Sequence, residues 1–135
     1  MASRGRKHIL LVEDDEDTLS ATTATLERLG YSVKAETEGL KALQTFSKEP
    51  DLFDLALLDH GIADVTGLEL AVLMRRIRPG FPVVLYTGYL DDPSTEQLDA
   101  VGMGRRVIIK PATTKELAAA IQEALNKWKG SKTEP

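Results

Sequence analysis

The chain has 135 residues, 42% of them hydrophobic, with no cysteine and a net charge of −4, and so fits one domain that needs no disulfide. The acidic balance argues against direct nucleic-acid binding, and the missing thiols exclude cysteine catalysis and zinc–cysteine sites. Because no run approaches the roughly 20 apolar residues of a membrane span and the start lacks a signal peptide's apolar stretch, we expect a cytoplasmic protein without membrane insertion.

Short apolar runs mark the predicted strands. In chain order they lie at residues 8–12, 54–58, 82–86 and 106–109, with a weaker strand opening at 31–33. Since polar residues do not alternate within these runs, we expect strands that are buried on both faces, as in a parallel sheet.

Segments of helical spacing separate the strands. They predict five helices, at about residues 17–29, 38–47, 67–77, 94–101 and 114–128. Asp17 is the predicted N-cap of the first helix, and Thr113 or Thr114 that of the last. Five strands alternating with five helices predict a doubly wound α/β fold with right-handed crossovers.

An acidic stretch follows the first predicted strand without a break. Glu13 and Asp14 come directly after Ile9–Val12. Two carboxylates about 4 Å apart repel by ~4 kcal/mol at an effective dielectric of 20, so such crowding needs a cation. Oxygen-only ligands favour a hard cation such as Mg²⁺. For Glu16 and Asp17 we favour a simpler reading, a solvated helix N-terminus that favours negative charge.

Three more polar residues follow predicted strands. Asp59 ends the third apolar run, Thr87 the fourth and Lys110 the fifth, and the Lys110–Pro111 bond is a candidate cis peptide. In an open α/β sheet the chemistry gathers at the carboxyl ends of the strands. A carboxylate there can be a metal ligand and a phosphoryl acceptor, while a hydroxyl and an ammonium can bind phosphoryl oxygens.

In this order, these residues resemble the receiver domain of two-component response regulators. The resemblance covers about residues 7–127 and rests on Leu11-Val12-Glu13-Asp14, Leu57-Leu58-Asp59 with Gly67, Tyr86-Thr87-Gly88, and Lys110-Pro111. It implies a flavodoxin-like, five-stranded parallel sheet in the order 2-1-3-4-5 with five helices. It further implies Mg²⁺-dependent phosphoryl transfer from a histidine kinase or histidine phosphotransfer protein, and it allows a weak homodimer.

The resemblance also implies a role for each polar residue at this edge. Asp14 and Asp59 would coordinate Mg²⁺ directly, while Glu13 would act mainly through water. Asp59 would accept the phosphoryl group, and Thr87 and Lys110 would hold its oxygens. The chain would catalyse its own phosphorylation and dephosphorylation, rather than act as an enzyme, and would signal by a conformational change.

Five neighbouring positions refine this interpretation. Gly61 would offer its backbone carbonyl to the metal, and His60 is expected to be a loop side chain rather than a ligand or base. Val107 stands where many receivers have an aromatic switch residue, and Ala63 where they often have proline. Tyr89 would lie near the mouth of the site.

Residues 7–129 form the predicted receiver domain, with flexible ends at 1–6 and 130–135. We expect either a single-domain regulator or a receiver excised from a larger protein such as a hybrid sensor kinase. The alternative function is an interaction module that works without phosphorylation, which the intact site disfavours. A phosphohydrolase is disfavoured because Gly61 stands where such enzymes place a general acid.

Overall fold

The computed structural model describes residues 6–88, 95–100 and 107–133, so Tyr89 and the first five positions of the predicted flexible N-terminus lie outside it. Its strands are β1 (His8–Val12), β2 (Ser32–Glu36), β3 (Leu55–Asp59), β4 (Val83–Thr87) and β5 (Val107–Ile109). Its α-helices are α1 (Glu16–Arg28), α2 (Gly39–Lys48), α3 (Gly67–Ile77), α4 (Thr95–Ala100) and α5 (Thr114–Thr133). A single 3-10 turn at Pro50–Leu52 precedes β3.

The five strands form one parallel sheet in the order β2-β1-β3-β4-β5. This confirms the predicted order and fold class. In the register of the central strands, Leu11 lies opposite Leu57, and Asp59 lies opposite Tyr86. The carboxyl ends of β1, β3, β4 and β5 therefore meet along one margin of the sheet, which we call the carboxyl edge; the opposite margin is the amino edge.

Apolar side chains bury both faces of the sheet. From β1, Leu10 and Val12 pack with α2, α3 and α4, while Ile9 and Leu11 pack with α1 and α5. All four side chains are at most 1% exposed. The unbroken apolar runs are explained by this two-sided burial, because neither face of a central strand meets water.

The N-cap of α1 differs from the predicted one. Its cap is Asp15, whose carboxylate accepts bonds from the Thr18 amide at 2.9 Å and the Thr18 hydroxyl at 2.6 Å. The predicted cap, Asp17, was wrong, since that residue already lies in the first helical turn. At α5 the prediction of Thr113 is confirmed: its hydroxyl accepts from the Glu116 amide at 3.0 Å, and Glu116 accepts from the Thr113 amide at 2.8 Å.

Helix α5 continues to Thr133, beyond its predicted end near residue 128. Residues 130–133, predicted as part of a flexible tail, are therefore helical. No proline lies between Thr114 and Thr133, so every residue of the helix keeps its backbone donor, and Gly130 within it does not end the helix. Across the part of the chain that the structure describes, no helix is long and apolar enough to cross a membrane.

Candidate functional site at the carboxyl edge

Three carboxylates converge at the carboxyl edge. One oxygen each from Glu13, Asp14 and Asp59 lies within 4.8 Å of the other two. Glu13 and Asp59 are only 2% and 6% exposed, while Asp14 faces solvent. The Glu13 amide donates to the Glu36 carbonyl at 3.1 Å, which extends the pairing of β1 with β2 and fixes the position of this residue. A cluster of carboxylate oxygens with no softer donor is chemically suited to a hard divalent cation.

Lys110 brings a positive charge into this cluster from the end of β5. Its Nζ lies 2.9 Å from Glu13 Oε1 and 3.3 Å from Asp59 Oδ1. The Lys110 amide donates to the Thr87 carbonyl at 2.7 Å, so the ends of β4 and β5 are tied together. The Lys110–Pro111 peptide is cis, which the sequence analysis had named as a candidate. The lysine thus bridges two carboxylates that come from different strands.

Burial and charge shift the pKa values of this pair. Burial raises the pKa of Glu13, and the neighbouring Asp59 carboxylate adds to that rise, whereas the Lys110 bond and the Asp15 amide act against it. Burial alone would lower the pKa of Lys110, but its bond to Glu13 and the charges of Asp59 and Glu13 outweigh burial and raise that pKa. Lys110 is therefore held as an ammonium, and a further cation at the cluster would favour the ionised form of Glu13.

The loop after Asp59 is anchored by backbone bonds. The Gly61 amide donates to Asp59 Oδ1 at 3.1 Å, and the His60 amide donates to the Tyr86 carbonyl at 3.0 Å. At the far end of the loop, a Cβ on Gly67 would lie 2.7 Å from the Asp59 carbonyl oxygen, so only glycine fits there. The start of α3 therefore packs directly against the backbone of Asp59.

His60 behaves as a loop side chain. Its Nδ1 accepts from the Leu68 amide at 3.4 Å, in the first turn of α3, and its carbonyl accepts from the Gly67 amide at 3.2 Å. The imidazole therefore joins the loop to the first turn of α3.

An open cleft of about 550 Å³ gives access to Asp59. Its lining residues are Asp59, His60, Gly61, Ile62, Thr66, Thr87, Gly88 and Lys110. Thr87 lines this cleft and is only 2% exposed, so it lies in the cleft wall rather than on the outer surface. The cleft thus brings three of the sequence-predicted residues, Asp59, Thr87 and Lys110, and the predicted Gly61 to one opening.

Asp64 has a role that the sequence analysis missed. Its two carboxylate oxygens accept from the Gly39 and Leu40 amides at 3.0 and 2.9 Å and so cap α2, whose own N-cap residue, Glu38, makes no side-chain cap bond. A Cβ on Gly39 would clash with Val65 Cγ1, so any larger residue there would force Val65 to shift. No local pattern could reveal a cap supplied from 25 residues away.

Comparison with known proteins finds similarity to response regulator receiver domains. A family model described as the response regulator receiver domain matches residues 9–122. The chain is 32% identical over 123 residues to the response regulator receiver protein CpdR of Brucella abortus, covering 88% of this chain and 97% of CpdR. It is 34% identical over 119 residues to the aerobic respiration control sensor protein ArcB of Escherichia coli, covering 86% of this chain and 15% of ArcB.

Solved structures give the same result. A CheY-like response regulator receiver domain protein from Methanospirillum hungatei superposes with a TM-score of 0.83 at 30% identity, covering 93% of this chain and 98% of that one. The chain spans 26% of the length of the first curated relatives it matches, such as the transcriptional regulatory protein ZraR of Klebsiella oxytoca, with which it shares 31% identity over 87% of its residues.

Proposed function

The chain belongs to the response regulator receiver domain family, and from this premise we propose that it accepts a phosphoryl group on Asp59 in a Mg²⁺-dependent reaction. The proposed donor is the phosphohistidine of a histidine kinase or a histidine phosphotransfer protein in the cytoplasm. One observation carries the proposal. Asp59 lies at the open cleft, with Lys110 Nζ 3.3 Å from its Oδ1 and two further carboxylates within 4.8 Å.

The donor atoms around Asp59 fit Mg²⁺. The ion would be held by Glu13, Asp14, Asp59 and the Gly61 backbone carbonyl. The oxygen-only donor set and the burial of Glu13 both favour a bound hard cation. When bound, the ion supplies positive charge that neutralises the phosphoryl oxygens.

The chain's own side chains would carry out the transfer. A carboxylate oxygen of Asp59 attacks phosphorus, the bond from phosphorus to the donor's imidazole nitrogen breaks, and that nitrogen keeps the electron pair. Lys110 and Thr87 donate hydrogen bonds to the phosphoryl oxygens, so the charge of the transition state meets donors already in place. Hydrolysis reverses the modification: water attacks the same phosphorus, the bond from phosphorus to the Asp59 oxygen breaks, and the carboxylate keeps the electron pair as inorganic phosphate leaves.

Signalling would follow from a change in the bonds of Thr87 and Lys110. In the described structure Lys110 bonds Glu13 at 2.9 Å, and its backbone is tied to the Thr87 carbonyl at 2.7 Å. A phosphoryl group on Asp59 would compete for both side chains and pull on the loops after β4 and β5. Val107, half-buried against the α2–α3 layer, has no ring to rotate with Thr87.

The protein context remains part of the proposal. CpdR is matched along nearly its whole length and ArcB over only 15% of its own, so relatives include both short and long proteins. We propose residues 7–129 as the functional domain, able to act alone or within a hybrid kinase and to form a weak homodimer, with no direct contact to nucleic acid.

The experiment that tests this function measures the intact mass after incubation with Mg²⁺ and acetyl phosphate. We expect one phosphoryl adduct on the unmodified chain and none on Asp59→Asn or without Mg²⁺. Asp54→Asn is the matched control, because Asp54 precedes the same strand at the amino edge, where its carboxylate accepts from the His8 amide at 2.8 Å. Asp54→Asn should form the adduct.

Two results would overturn the proposal. If neither an adduct nor Mg²⁺ binding is detected, the chain is an interaction module that works without phosphorylation. If acetyl phosphate is consumed in rapid multiple turnovers without an adduct accumulating, the chain is a phosphohydrolase.

A further inference from the structure

The ring of Tyr86 lies beside the ammonium that serves the site. Lys110 Nζ is 5.0 Å from the centroid of this ring, within the distance at which a cation is attracted to an aromatic face. The same nitrogen contacts Glu13 and Asp59. We propose that Tyr86 is a positioning residue, which holds the Lys110 ammonium against these two carboxylates. This inference rests on the proposed function.

Tyr86 is a rigid platform because the sheet fixes it. It lies between Asp59 of β3 and Ile108 of β5 in the register, and its carbonyl accepts from the His60 amide at 3.0 Å. Tyr86 is 9% exposed and packs in the layer formed by α1 and α5, with Leu117 in the same cluster. The ring therefore occupies a defined position under the end of β5.

Lys110 needs such a platform. Its ammonium is carried on a flexible four-carbon stem, and its side chain is 26% exposed, so the ammonium could otherwise turn towards solvent. Glu13 and Asp59 attract it at 2.9 and 3.3 Å, and the centroid of the Tyr86 ring lies 5.0 Å away. A partly desolvated cation gains more from an aromatic face than an exposed one.

Tyr86 borders an open groove of about 340 Å³ between α1 and α5. The groove is lined by Asp17, Thr18, Ala21, Thr22, Thr25, Tyr86, Ala112, Thr114 and Leu117. Because Tyr86 also belongs to the buried α1–α5 layer, a leucine there removes packed volume as well as the ring, so the test needs a control for lost volume.

The test compares Tyr86→Leu and Tyr86→Phe with a matched control. Tyr31→Leu removes an aromatic ring that packs against the same α1–α5 layer, next to β2 at the far end of the sheet. The first readout needs no phosphorylation: the ε-methylene protons of Lys110 should be shifted upfield by the ring in the unmodified chain and in Tyr86→Phe. That shift should disappear in Tyr86→Leu and persist in Tyr31→Leu.

The second readout is the rate of phosphorylation by acetyl phosphate. Tyr86→Leu should lower the maximal rate by about tenfold, the change that about 1.4 kcal/mol produces, and Tyr86→Phe should restore most of it. In a Lys110→Met background the same Tyr86→Leu change should have no further effect, because the residue acts through the lysine. Tyr31→Leu should lower the unfolding free energy without this loss of rate.

Each result has a distinct meaning. An unshifted Lys110 signal in the unmodified chain, or additive effects of Tyr86→Leu and Lys110→Met, overturns the positioning role. Failure of the unmodified chain to form any adduct overturns the proposed function, whereas the methylene shift still decides whether Tyr86 positions Lys110.

Discussion

The two edges of the sheet use ionic side chains in opposite ways. At the amino edge, Asp54 exchanges bonds with the backbone of His8, each 2.8 Å long, and Arg78 donates to the carbonyls of Pro50 and Phe53. There each charge meets backbone groups of neighbouring segments. At the carboxyl edge, three carboxylates lie close together, and the ammonium of Lys110 contacts two of them.

This difference separates structural charges from functional ones. A charge that satisfies backbone groups stabilises the fold and needs no further partner. A group of carboxylates with an excess of negative charge is costly unless a cation joins it. The amino edge is therefore complete as it stands, while the carboxyl edge is arranged for something that binds. Substitutions at the two edges should accordingly differ in what they change.

The largest effect is expected from removing the cation of the carboxyl edge. Lys110→Met should slow phosphorylation by acetyl phosphate by about 100-fold, because one preorganised donor to the transferred group is lost. Lys115→Met, an exposed lysine in the first turn of α5, is the control and should react at the unmodified rate. The initial rate of adduct formation measures both. Equal rates for the two variants would remove Lys110 from the mechanism.

The next effect belongs to the amino edge and concerns stability. Arg78→Met should lower the free energy of unfolding by about 2 to 3 kcal/mol, because two backbone carbonyls lose a charged donor and the contact with Phe81, 5.0 Å from the guanidinium, is lost. The rate of phosphorylation should be unchanged. Urea unfolding measures this free energy. The control is Arg76→Met, an exposed position, whose unfolding free energy should stay within about 0.5 kcal/mol of the unmodified chain.

A smaller effect should appear only above a certain pH. The hydrogen bond from the Leu40 amide holds the pKa of Asp64 below its ordinary 3.8. Slight burial acts against this shift, and the bond from the Gly39 amide adds to it. A lowered carboxyl pKa in the folded state gives stability that is present above 3.8 and lost as the pH falls through the folded value. Asp64→Asn should thus be less stable than the unmodified chain at neutral pH. The difference between their unfolding free energies should narrow below pH 3.8. A gap that widens on acidification would contradict the cap.

The smallest expected effect is on helix stability, and it distinguishes two acidic residues of the stretch that follows β1. Asp15→Ala should destabilise α1, because the Thr18 amide and hydroxyl lose their acceptor. Asp17→Ala should have a smaller effect, since that exposed residue offers the helix only a favourable charge in its first turn. Urea unfolding of both variants ranks them, and the reverse order would return the cap to Asp17.

Local patterns predicted the fold because the strands are buried on both faces. Runs such as Leu55–Leu58 have no polar alternation, and all four side chains are fully buried in the structure. The meeting of Glu13, Asp59 and Lys110 could also be expected, since each follows a strand of a parallel sheet. Composition could not place the α1 cap, because consecutive acids offer several equivalent acceptors.

Contacts between distant segments could not be predicted. Asp64 capping α2 depends on the approach of Val65 to Gly39, and the Tyr86 ring meets Lys110 only because β4 and β5 are neighbours. Nor does the sequence distinguish the buried Glu13, which bonds Lys110, from the exposed Asp14. These features arise from tertiary packing, in which the partner residue is set by the whole fold.

The most direct test of the account locates the phosphoryl group itself. The chain is incubated with Mg²⁺ and acetyl phosphate, reduced with borohydride, which converts an aspartyl phosphate to homoserine, and then sequenced by tandem mass spectrometry. We predict homoserine at position 59 alone, and none when Mg²⁺ is withheld. Homoserine at Asp14 or Asp54 instead, or a chain left unmodified in the presence of Mg²⁺, would contradict the assignment of the carboxyl edge as the phosphoaccepting site.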